Sequence, residues 1–124
     1  MSRFLPALAV ISLLAPAAHA REQADFREKA KNAVERTDKD FENIVHPEKL
    51  NAEQRAHFDA ALKDLHELRE AIAAGKWEGG KERLERAIDN IDFLMKKAPM
   101  DDGDRQMLGI DLYTLRDIRD GWKP

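Results

Sequence analysis

An all-α fold, an antiparallel four-helix bundle built from helical hairpins, is predicted by three observations. Apolar residues recur at spacings of three and four in four successive segments. Short breaks carrying Pro47, the glycines Gly75, Gly79 and Gly80, and Pro99 separate those segments. Runs of β-branched residues with a period of two, which would mark strands, hardly occur.

The bundle is expected to follow a signal peptide. Residues 1–20, MSRFLPALAVISLLAPAAHA, combine a basic start at Arg3, an apolar run over residues 4–14, and Ala18 and Ala20 on either side of His19. That is the pattern of an export signal cleaved after Ala20. A spanning helix would need about 20 apolar residues, and Pro6 and Pro16 interrupt this run. The expected mature domain is residues 21–124, periplasmic or secreted, and loss of Arg3 takes its formal charge from −3 to −4. With no cysteine in the chain, packing alone must hold the domain in an oxidising compartment.

In the first mature segment, residues 22–45, Phe26, Ala30, Ala33, Thr37, Phe41 and Ile44 fall on one helical face. Pro47 ends it, because a proline disfavours helical geometry in the residue before it. Asn51 is placed to cap the second helix, with Gln54 three residues on to complete a capping box. That helix should bury Phe58, Ala61, Leu62, Leu65, Leu68 and Ile72, and Gly75 supplies the left-handed residue that closes it. Trp77 is expected at the start of a third helix, covering the end of the hairpin, with Leu84, Ala87, Ile88, Ile91, Leu94 and Met95 as the stripe. After Pro99, the aspartates of MDDGD should cap a fourth helix carrying Leu108, Leu112, Leu115, Ile118 and Trp122.

Phe93, Ile110 and Tyr113 lie off these stripes. Either the helices bury wide faces, with Phe93 packed against the alanine-rich first helix, or the three form an exposed apolar patch for a partner. They are the candidate partner-binding residues.

Much chemistry is excluded. Both serines, Ser2 and Ser12, lie in the expected signal peptide, so the mature domain has neither serine nor cysteine for nucleophilic hydrolysis, thiol redox chemistry or covalent haem attachment. His46, His57 and His66 form no His-x-x-x-His pair, and Glu53 with His57 or His66 with Glu70 offers two ligands at most, so no metal ligand set is assigned. No pair of carboxylates stands out for acid–base catalysis. Mild acidity with interspersed signs argues against a nucleic-acid partner, and no second apolar segment points to a membrane span.

Three resemblances touch the chain. Gly75, Trp77, Gly80, Leu84 and Ala87 resemble the second half of one tetratricopeptide unit, where a solenoid needs about three. The same hairpin is similar to one in the soluble four-helix b-type cytochromes, which bind haem through a Met and a His. Met95 stands where that resemblance would require the histidine, and residues 22–45 contain no methionine. LNAEQRAHF, with Leu50, Glu53, Gln54 and Phe58, resembles the L-T-x-x-Q motif of Spy/CpxP-type periplasmic chaperones, small exported helical proteins that shelter unfolded clients without ATP. Asn51 replaces the threonine, the motif occurs once, and the family's basic, Met-rich character is missing. The function expected is non-enzymatic binding of a protein or peptide in the cell envelope, chaperone-like and without a cofactor. A b-type haem or metal carrier is the alternative, and a homodimer is left open.

Overall fold

The computed structural model describes the backbone of residues 4–124 and the side chains of residues 17–124. Arg3 and the side chains of the apolar run 4–14 lie outside the described residues. Four helices follow one another: α1 (Phe4–Ile44), α2 (Ala52–Ala73), α3 (Gly80–Lys97) and α4 (Asp102–Asp120), with a short 3-10 turn, Pro47–Lys49, between the first two. The described residues contain no strand. The first helix is longer than its apolar stripe predicts, since it continues backward through Ala20 and Arg21. Residues 17–22 are all exposed, however, and Phe26 is the first side chain packed on the core.

Each helix packs on two neighbours: α1 on α2 and α4, and α3 on α2 and α4. Most of the core comes from the stripes anticipated from the spacing, with Val34, Val45 and Ala98 added. Ala30, Ala33, Phe41 and Ile44 come from α1, Phe58, Ala61, Leu65, Leu68 and Ile72 from α2, Leu84, Ala87, Ile88, Ile91 and Leu94 from α3, and Leu108, Leu112, Leu115 and Ile118 from α4. Phe41 and Phe58 stack at 5.1 Å across the α1–α2 seam. Leu62 and Met95 are only partly buried at the edges.

Local chemistry sets the helix ends. Asn51 Oδ1 accepts from the Gln54 backbone N–H at 2.8 Å, and Gln54 Oε1 accepts from the Asn51 N–H at 3.1 Å, which completes the capping box. Gln54 Nε2 also donates to the Lys97 carbonyl at 2.9 Å, tying the start of α2 to the end of α3. Asp101 caps α4 by accepting from the Asp104 N–H at 2.7 Å. Gly75 and Gly79 take positive φ, 71° and 73°, on either side of Trp77.

Trp77 precedes α3 rather than beginning it, and it closes one end of the bundle. Its ring meets Phe26 at 6.0 Å and Trp122 at 5.8 Å, while Phe26 and Trp122 meet edge-on at 5.5 Å. Gly80 lies under this cluster, and a Cβ there would stand 2.8 Å from the Trp122 ring.

Leu65→Ala and Leu115→Ala, each removing a fully buried side chain, should lower stability by about 2–5 kcal/mol in chemical denaturation. Asn51→Ala should cost about 0.5–2 kcal/mol, whereas Asn51→Ser, which keeps a capping oxygen, should melt close to wild type.

Candidate functional site

Four charged residues are not where an amphipathic helix normally puts them. Asp38 and Asp111 are each 1% exposed, Asp64 is buried, and Asp92 is half-buried. Each is answered by an arginine of the next helix around the bundle. Asp38 Oδ2 of α1 lies 2.9 Å from Arg69 of α2, and Asp64 Oδ1 of α2 lies 3.2 Å from Arg86 of α3. Asp92 Oδ1 of α3 lies 3.2 Å from Arg116 of α4, and Asp111 Oδ1 of α4 lies 3.2 Å from Arg36 of α1. Every helix contributes one aspartate and one arginine. The arginine stems run out along the seams, so their guanidinium groups remain partly in water.

Two of the four sites carry more negative charge than their arginine answers. Asp111 faces Asp40 as well as Arg36, and burial first, then the Asp40 carboxyl, pushes its pKa up to about 7. Its Oδ2 receives no hydrogen bond. The neighbouring Thr114 hydroxyl accepts from Arg36 Nη2 at 3.1 Å and donates to the Ile110 carbonyl. Asp38 is also raised, chiefly by burial, with His66 and Arg69 opposing the shift. Asp92 behaves in the opposite way: hydrogen bonds from Lys96, and then from Arg116, hold it below the usual carboxylate range.

The histidines turn away from the helical pairs that spacing suggested. His66 Nε2 lies 2.8 Å from Glu42 Oε1 and 3.1 Å from Asp38 Oδ1, both on α1, rather than on Glu70 of its own helix. His57 Nδ1 meets Asn90 Oδ1 of α3 at 2.7 Å instead of Glu53. One acid–histidine cluster, Asp38, Glu42 and His66, thus spans the α1–α2 seam, with its three nearest ligand atoms all within 4.8 Å of one another.

Of the three residues singled out for a partner surface, Ile110 and Tyr113 are 56% and 76% exposed on α4, joined there by Met107 at 46%. Phe93 is half-buried and leans toward α2, its ring stacked on His57 at 3.8 Å. It packs on α2, not on the alanine-rich face of α1. On the helical wheel, Asp92 and Lys96 lie between Phe93 and the α3–α4 seam, so an ion-paired strip interrupts the path from Phe93 to Tyr113. Met107 directly precedes Leu108, the first residue of the α4 stripe, and so reads in the sequence as an edge of the core. The described pockets are shallow surface depressions, such as the one between Phe26, Lys29 and Asp117. No described helix is long and apolar enough to cross a membrane. Compared with family models, curated proteins and solved structures, the chain matches none.

The raised pKa of Asp111 has a definite consequence for stability. Between about pH 4 and pH 7 the folded chain keeps a proton there that the unfolded chain has released, so this group stabilises at acidic pH and its contribution is lost as pH rises through about 7. Thermal melts should therefore show greater stability near pH 5 than near pH 8, by roughly 1–3 kcal/mol. Asp111→Asn should flatten that dependence.

Proposed function

We propose that this chain is an exported helical-bundle protein that acts without catalysis, binding a protein or peptide in the cell envelope along the outer face of α4. The observation that carries the reading is the row Met107, Ile110 and Tyr113, three large apolar side chains spaced i, i+3, i+6 and left in water on a helix whose other face is fully packed. An apolar row of that spacing suits a partner helix laid across it. Tyr113 adds a hydroxyl and a broad ring of the kind that anchors interfaces. Chaperone-like sheltering of unfolded segments is one form such binding takes, and it is the form implied by the Spy/CpxP resemblance. Binding of a second copy of the chain is another.

Export rests on the sequence of residues 1–20 and is supported by the exposure of residues 17–20, the described end of that segment, whose removal would cost the bundle no packed side chain. The antiparallel order of the bundle is supported by cross-helix pairs whose numbers rise on one helix as they fall on the next. Glu42 with His66 and Asp38 with Arg69 run this way, as do Gln54 with Lys97 and Asp64 with Arg86.

Ile110→Ser and Tyr113→Ser should shift stability by no more than about 0.5 kcal/mol each, as exposed substitutions do. The double variant should lose the envelope protein captured by wild type, or the ability to suppress aggregation of an unfolded client. Undiminished capture and suppression by a folded double variant would remove α4 as the binding face. Mass analysis of the exported form, expected to begin at Arg21, tests the localisation separately.

A further inference from the structure

We propose that Asp38, Glu42 and His66 form a binding site for a divalent transition-metal ion of the Zn²⁺ kind, bridging α1 and α2. Three observations carry this. First, the donor set is mixed: two carboxylates four residues apart on one helix and an imidazole from the next, the oxygen and nitrogen ligands that Zn²⁺ accepts. Second, the spacing suits one shared cation. His66 Nε2 lies 2.8 Å from Glu42 Oε1 and 3.1 Å from Asp38 Oδ1. Ligand atoms about 2.0–2.2 Å from a common tetrahedral ion stand roughly 3.3–3.6 Å from one another, so the two His66 contacts need widen by less than about 1 Å. Third, Asp38 is 1% exposed, and its Oδ1 receives no hydrogen bond although it faces His66 Nε2 at 3.1 Å.

The nitrogen between the carboxylates is the crux. A single imidazole Nε2 carries one hydrogen at most, and its hydrogen bond goes to Glu42, which leaves Asp38 Oδ1 facing the same atom without one. A cation seated among the three satisfies both oxygens and the nitrogen at once. Arg69 at 2.9 Å from Asp38 Oδ2 then acts from behind, holding the carboxylate with Oδ1 turned toward the ion. Its positive charge also weakens cation binding, which makes this a moderate site rather than a closed structural one. Glu42 and His66 are 49% and 40% exposed at their side chains, so water can reach the ion and complete its shell.

The experiment is titration of the chelator-treated full chain with Zn²⁺ alone, followed by calorimetry and by thermal melting. One ion per chain and a melting temperature that rises with Zn²⁺ concentration are expected. Glu42→Gln and His66→Gln, both at exposed side chains, should keep the helical spectrum and weaken Zn²⁺ binding at least about tenfold. His57→Gln, on the α2–α3 seam, should bind as wild type does. Absence of saturable Zn²⁺ binding by wild type would overturn the site, as would wild-type affinity in Glu42→Gln and His66→Gln, which would leave the cluster a plain ion-pair network.

Discussion

The bundle depends on the circuit of aspartates and arginines that runs from helix to helix around it. Its apolar stripes are mostly leucine, isoleucine and alanine at repeating intervals, and apolar contact is less directional than a paired charge. Moving any helix by one turn would separate a buried Asp38, Asp64 or Asp111 from its arginine, and a buried carboxylate left ionised without its partner costs about 3–5 kcal/mol. Hydrophobic burial drives collapse, and the four ion pairs select the register in which it ends.

That circuit is balanced on two seams and overloaded on two. Asp64 with Arg86 and Asp92 with Arg116 leave little charge unanswered, and Lys96 strengthens the second pair. On the two seams that involve α1 a further acid crowds in, Asp40 beside Asp111 and Glu42 beside Asp38. One crowded seam relieves itself by holding a proton below about pH 7. The other recruits His66 between its two carboxylates. The stretch of α1 from Phe26 to Ile44, with few large apolar side chains, therefore carries much of the electrostatic tension among the described residues.

The two ends and faces of the bundle divide labour in a similar way. Trp77, Trp122 and Phe26 seal one end, and Gly80 is the small residue that lets the Trp122 ring approach. Opposite in character, the outer face of α4 leaves Met107, Ile110 and Tyr113 in solvent although the same helix buries Leu108, Leu112 and Leu115 completely. Stability resides in the inner faces and the sealed end, and α4's outer face takes no part in either.

The sequence by itself determined the helices, their caps and nearly all of the core, because those features depend on residues within four positions of one another. Asn51 with Gln54, Asp101, Gly75 and the Leu84–Leu94 stripe could each be read locally. Position in the stripe also set Ile110 and Tyr113 apart but left open whether a wide face buried them, and it could not show that Phe93 finds His57 across a seam. The charged circuit stayed hidden for the same reason. Asp38, Asp64 and Asp111 sit at the edges of their stripes, where a carboxylate normally faces water, and only the neighbouring helix buries them. His66 had Glu70 within reach on its own helix, yet the packing of α1 against α2 turned it to Asp38 and Glu42, 24 and more residues away. Periodicity fixes which face of a helix looks inward; which residue meets which across the seam is decided by the rotation and height of two helices together, and that exists only in the assembled fold.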